Sequence, residues 1–167
     1  MQKFTLSVLV ENKFGVLARV AGLFSARGFN IDSLAVSATE DPSASRITMV
    51  VDADEKLLEQ IKKQLNKLID VIKIVDFTKK SHIEKELVLL NVSMKPNTKE
   101  KIVQAVDSVG AEILDVGKSM ITVEETGDTN KINALIEVLR PFGIVEVVRT
   151  GKIAIQTETE KKETKNG

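Results

Sequence analysis

Apolar residues alternate with their neighbours at the start of the chain: Phe4, Leu6, Val8 and Val10 are interleaved with Thr5, Ser7 and Leu9. A period of two predicts a half-buried strand. After a short loop, Glu11-Asn12-Lys13-Phe14-Gly15, the spacing becomes helical. Val16, Leu17, Val20, Ala21, Leu23 and Phe24 recur, with Arg19, Ser25 and Arg27 between them. Gly28 then supplies a helix C-terminal cap, because it accepts positive φ without a Cβ clash. The spacing predicts a helix over 16–27.

The strand pattern resumes over 29–39, where Ile31, Leu34 and Val36 are apolar. Glu40-Asp41-Pro42-Ser43 reads as a turn. Ile47, Met49 and Val51 mark a third strand, with Arg46, Thr48 and Val50 on its other face. Asp52-Ala53-Asp54-Glu55 opens a second helix, its acidic groups near the positive end of the dipole. Leu57, Ile61, Leu65 and Leu68 form its apolar stripe, and 71–77 is a fourth strand. The order is β-α-β-β-α-β.

A polar connection, 78–83, follows, and then the order recurs. Val88, Leu90, Val92 and Met94 predict a strand, and Pro96-Asn97 a turn, with Asn97 and Glu100 at capping-box spacing. A helix carrying Ile102, Val106 and Val109 stops at Gly110. Residues 113–116 and 120–124 read as a hairpin around Gly117-Lys118. Asp128 caps a helix with Ile132, Leu135 and Leu139, which Pro141 and Gly143 end, and 144–150 is read as the last strand. From Gln156 onward no apolar residue occurs, and the end of the 152–167 tail is expected to be disordered.

Two such units in tandem predict an α+β protein of two ferredoxin-like domains, 1–77 and 84–151, joined by 78–83. Each is an antiparallel sheet with both helices on one face, as right-handed crossovers require. Small cores, an open sheet face and free sheet edges argue for an oligomer or a large partner.

Composition leaves a thin catalytic inventory, with carboxylate-only chemistry still open to it. The 167 residues hold one histidine, His82, and no cysteine, tyrosine or tryptophan. Thiolate chemistry, disulfides and multi-histidine metal sites have no material. His82 reads as a solvated linker residue. Lys+Arg and Asp+Glu are balanced at 24 each, so no footprint for nucleic acid stands out. Lys62-Lys63 and Lys79-Lys80 read as solvated faces. No apolar run reaches the roughly 20 residues that span a bilayer. The start is not that of a signal peptide, and a cytoplasmic location is expected.

The loop at Asn12–Gly15 is the one place with a chemical signature. Backbone N–H groups of Gly15, Val16 and Leu17 at a helix N-terminus suit a carboxylate or phosphate. Asn12 adds a donor and an acceptor. Asn30, where the second strand begins, is placed at the same end of the sheet and offers a second amide. Val16, Leu17 and Leu34 line an apolar pocket, and Ile31 adjoins them. Neutral amides beside a helix end fit a zwitterion better than a phosphate, which calls for arginine or more lysines than Lys13 alone. The alternative is a plain structural role for the same residues, Asn12 as a cap, Gly15 as a turn and Asn30 as a local turn residue.

Longer stretches bring a resemblance. LSVLVENKFGVL at 6–17, GLFSARGFNIDSL at 22–34, DPSASRIT at 41–48 and EQIKKQLNKLIDV at 59–71 resemble the small regulatory subunit of acetohydroxyacid synthase (acetolactate synthase). HIEKEL at 82–87 and IVEVVRTG at 144–151 extend the likeness more loosely, so that it spans about 3–151. The resemblance implies that 1–77 is an ACT domain and that such domains pair edge to edge in a homodimer. It implies an effector at the seam, usually valine, sometimes leucine or isoleucine, with Asn12, Gly15 and Asn30 at effector positions. It further implies a separate catalytic subunit that this chain activates and makes sensitive to feedback. Thiamine diphosphate, FAD and magnesium are expected on that subunit, with no cofactor, metal or catalytic residue in this chain. Lys13-Phe14 departs from the small or polar residues usual in the family, which bears on loop shape and effector preference.

Two rivals remain. A stand-alone ACT-type sensor acting on transcription would call for a basic helix-turn-helix, which is absent. An acylphosphatase-like enzyme needs an arginine in the loop, and none lies between Glu11 and Leu17.

Overall fold

The alternation of the first strand is a burial pattern. Phe4, Leu6, Val8 and Val10 are all sealed in the core, and they share it with the helical stripe Val16, Val20, Leu23 and Phe24. The computed structural model describes residues 2–158. These divide into one unit of 2–83 with 152–158 and another of 84–151.

The first unit comprises β1 (Gln2–Glu11), α1 (Val16–Ser25), β2 (Ile31–Ala38), β3 (Ala44–Ala53), α2 (Glu55–Leu65) and β4 (Val71–Asp76). Its sheet order is β2-β3-β1-β4, all antiparallel. Ile47, Met49 and Val51 of β3 and Leu58, Ile61 and Leu65 of α2 complete the core.

Local chemistry sets the ends of the helices. Asp54 accepts from the Leu57 N–H at 2.7 Å and so caps α2. At the end of α1, Gly28 has φ +65°. The Gly28 N–H bonds the Ser25 carbonyl and the Phe29 N–H bonds the Phe24 carbonyl, the paired bonds of a Schellman motif. The Phe24 and Phe29 rings meet edge to face, 6.0 Å apart, and supply the apolar contact of that motif. Lys62 is not on a solvated face: its Nζ reaches Glu59 at 2.6 Å and Asp76 at 3.1 Å, tying α2 to β4.

β5 (His82–Ser93) begins in the first unit and, from residue 84 on, opens the second, which continues through α3 (Lys99–Val109), β6 (Glu112–Val116), β7 (Met120–Gly127) and α4 (Thr129–Leu139) to β8 (Ile144–Arg149). The strand order β6-β7-β5-β8 repeats that of the first unit. Val88, Leu90, Val92, Ile121 and Val123 face Ile102, Val106, Ile132, Leu135 and Leu139. Asp128 caps α4 through the Lys131 N–H. The predicted capping box at Asn97 does not form. Asn97 itself takes φ +67°, Thr98 is the residue before the helix, and the Thr98 hydroxyl is spent on Lys95. The buried carboxylate of Glu86 is held by a fork of two bonds from Arg149.

Two features differ from the sequence reading. His82 and Ile83 belong to β5 and not to the connection, and the His82 ring stacks on Phe77 at 4.9 Å. Nδ1–H of His82 donates to the Lys80 carbonyl at 2.8 Å. Residues 144–150 are not the last strand either: β9 (Ile153–Gln156) pairs with β5. Its Ala154 packs on Val75 and Phe77, which lie on the face of the first sheet away from the helices. The Lys152 N–H donates to Ser33 Oγ at 3.1 Å. The part of that face around Val75 and Phe77 is therefore covered, whereas the sequence predicts a face left open along its whole length. The expected disorder at the end of the tail falls on 159–167, outside the described residues. Among the described residues no helix is long and apolar enough to cross a membrane.

Candidate functional site

Gly15 stands immediately before α1 with φ +81°. Only glycine adopts that left-handed conformation freely. The structure gives a second reason for glycine here: a Cβ would come within 3.1 Å of Arg19 Nη1. Helical spacing places residue 19 one turn above residue 15, so the guanidinium lies against the loop. Arg19 is held there by Asp70, whose Oδ2 accepts from Nε at 2.8 Å and which is only 6% exposed. Arg19 lies outside the loop, so the loop sequence alone does not reveal it. The i, i+4 relation was the available signal; Asp70 had none.

No side chain caps α1, and no acidic residue lies in its first turn. The Val16 N–H makes a long 3.3 Å bond to the Lys13 carbonyl. The N–H groups of Leu17 and Ala18 have no acceptor among the described residues. An uncapped helix end with free donors is an anion site in waiting. Lys13 does not reach into it, because its ammonium is engaged by Glu11 at 2.8 Å, which raises its pKa.

Asn12 is not the helix cap. Its Nδ2 donates to the Pro42 carbonyl at 2.9 Å, and its backbone N–H to the Ser43 carbonyl at 2.6 Å. The loop is thereby tied to the β2–β3 turn. That turn is itself set by Asp41, whose carboxylate accepts from the Ser43 hydroxyl and N–H, which lowers its pKa. With its amide nitrogen committed, Asn12 offers Oδ1 as a free acceptor. Asn30 does the same, since its Nδ2 donates to Asp32 Oδ1 at 2.6 Å.

The structure corrects one placement. Asn30 is not at the same end of the sheet as the loop. Ile31 lies level with Val51 and hence with Phe4, whereas the loop follows Glu11, level with Ala44. Seven residues of β1 separate these levels, roughly 24 Å at about 3.4 Å per residue. Asn12 and Asn30 of one chain cannot touch the same small molecule.

What joins the two ends is an apolar edge. β2 is one of the two edge strands of the sheet, with one side of its backbone unpaired. Leu34 and Val36 lie opposite Met49 and Ile47, so they project on the helix-bearing face, yet they are 36% and 43% exposed. Leu17 on the first turn of α1 is similarly exposed, and Phe14 at the loop tip is wholly so. Of the other candidate positions, Val16 is sealed in the core and Ile31 is partly buried against it, so neither side chain is on this surface. Among the described residues no group of three or more His, Cys, Asp or Glu is placed to hold a metal.

Comparison with known proteins bears on the whole chain. The model of the AHAS small subunit-like ACT domain matches 6–73, and that of the small subunit of acetolactate synthase matches 85–158. A probable acetolactate synthase small subunit of Archaeoglobus fulgidus is 50% identical over 153 residues, covering 92% of this chain and 96% of that one. The acetolactate synthase small subunit of Mycobacterium leprae is 51% identical over 151 residues, 90% and 89% of the two chains. The crystal structure of the Thermotoga maritima small subunit superposes with a TM-score of 0.86 at 35% identity, over 96% of this chain and all of the other. With both halves matched and half of the aligned positions identical to such relatives, this chain belongs to the acetolactate synthase small subunit family, and its first unit is an ACT domain.

Proposed function

We propose that this chain regulates an acetolactate synthase catalytic subunit by binding a branched-chain amino acid, valine in the first place, across a seam between two copies of its ACT domain. The regulatory role follows from the family. The effector and the seam are supported by one observation above the rest. The loop at Asn12–Gly15 and the amide of Asn30 lie at opposite ends of one sheet, joined by an exposed apolar edge strand.

A two-fold axis through β2 reverses the direction of the partner strand. The start of β2 in one copy then lies beside the end of β2 in the other, where that copy's loop sits. Two equivalent sites form, each taking the loop from one chain and Asn30 from its partner. The chemistry at each is that of an amino acid. The free N–H groups of Leu17 and Ala18 receive the carboxylate. The acceptor oxygens of Asn12 and Asn30 receive the ammonium. Leu17, Leu34 and Val36 enclose a short aliphatic side chain.

An effector bridging two chains favours the arrangement in which both halves of its site are in register. Control over the catalytic subunit follows if that subunit binds the two arrangements unequally. Thiamine diphosphate, FAD and magnesium, the groups of the catalytic chemistry, are assigned to that partner. Calorimetric titration of the purified chain with valine, leucine and isoleucine tests the reading. Saturable binding at one site per chain, tightest for valine and lost in Asn30→His, is expected. No binding of any of the three would refute it.

A further inference from the structure

The loop between β1 and α1 has few bonds of its own, yet a single residue outside it holds both of its flanks. The Asp70 carbonyl accepts from the N–H of Glu11, the last residue of β1, at 2.9 Å. Its carboxylate accepts from Arg19 Nε in α1 at 2.8 Å. Asp70 lies in the turn before β4, nearly sealed from water. The Arg19 guanidinium in turn rests against Gly15, with Nη1 3.1 Å from the place of a Cβ. The loop is thus closed from behind by Asp70 and braced from above by Arg19.

The placement is electrostatically unusual. A cation in the first turn of a helix is unfavourable, because the dipole is positive there. Arg19 is tolerated because a buried carboxylate neutralises it, and that pairing spends its charge away from the open N–H groups of Leu17 and Ala18. From this geometry we infer that Asp70 and Arg19 are positioning residues of the effector loop, which fix the angle at which the α1 N-terminus meets the effector without touching it. The inference rests on the reading of the loop as an effector site.

The test measures affinity and stability separately in the full chain. Wild type is first titrated with valine, leucine and isoleucine; if none binds, the site reading itself has failed. With binding established, Asp70→Ala and Arg19→Ala are expected to weaken it about tenfold in molecules that remain folded by circular dichroism. The double variant is expected to be no weaker than either single one, because both act through one contact. Asp70→Asn, which keeps an acceptor oxygen for Nε, restores most of the affinity. A role in stability alone would lower the melting temperature and leave the affinity of the folded chain unchanged, which would overturn the proposal. Tighter binding in Asp70→Ala would also overturn it, by showing that a released Arg19 meets the carboxylate directly. Should Asp70→Ala not fold, Arg19→Ala decides the matter, since its side chain is half exposed.

Discussion

Gly15→Asp is expected to abolish effector binding while leaving the chain folded. Two separate effects meet at this position. Residue 15 has φ +81°, a conformation that costs an L-residue about 1–2 kcal/mol. Against that, the nearest obstacle to a Cβ is the far end of a flexible arginine, so the backbone need not move. An aspartate also gains from the uncapped helix end and from Arg19. The melting temperature should therefore fall by no more than about 4–8 °C. Binding suffers far more, because the new carboxylate occupies the ground of the effector's own and repels it. At least a hundredfold loss of affinity is expected. Gly15→Ala isolates the conformational part: it meets the same φ penalty with no charge and should lose no more than about tenfold. Calorimetry on both variants, with melting curves alongside, checks the division. Equal losses in the two would show that the site is not one for a negative group.

The second large effect is expected at the edge of the sheet. Val36→Lys should weaken pairing of two copies and, at the same protein concentration, remove effector binding, although residue 36 is absent from the proposed polar contacts. Val36 is 43% exposed in the single chain, so the unit itself should change by no more than about 0.5 kcal/mol. Across a two-fold seam each substitution counts twice. Losing two buried valines at about 1.5 kcal/mol each raises the dissociation constant of the ACT pair roughly a hundredfold. Two lysines facing each other add repulsion. Sedimentation and calorimetry on the same samples read both consequences. Undiminished effector binding by a dissociated chain would show that one copy contains the whole site.

The fold could be read from the chain because local signals agreed with the global pattern. Gly28 and the apolar pair Phe24 and Phe29 mark the end of α1, and all three act as the Schellman geometry requires. Asp54 and Asp128 precede apolar helical runs, and both accept the capping bond. The failures also have physical causes. Asn97 and Glu100 have capping-box spacing, but Thr98 intervenes with a hydroxyl that competes for the same turn. β9 is four residues long and buries only Ala154, too little for periodicity to stand out beside a polar tail.

The candidate residues could be named from the chain, but their geometry could not. Asn12 and Gly15 lie three positions apart in one loop, so sequence alone keeps them together. Strand periodicity by itself puts Asn30 at the wrong end of the sheet, although the crossover rule contains the answer. A strand, a helix running back, and a second strand parallel to the first bring the starts of both strands together. Asn30 therefore belongs beside the start of β1, where Lys3 indeed reaches Asp32 at 3.0 Å. Arg19 was visible as a polar residue inside an apolar run, but its partner Asp70 is 51 residues away and only tertiary structure brings it close.

That displacement is what makes the seam a claim about two chains and not one, and mixing defective chains tests it directly. Gly15→Asp spoils the loop and leaves Asn30; Asn30→His spoils the amide and leaves the loop. Neither variant alone should bind valine. In a mixed pair, one site combines both defects and the other combines the intact loop of one chain with the intact Asn30 of its partner. After subunits exchange at random from an equimolar mixture, about a quarter of all sites should bind with wild-type affinity. Calorimetric titration of the exchanged mixture with valine reads that fraction. Recovery near this level is the predicted result. No recovery, in a mixture shown to have exchanged, would contradict a site shared between two copies.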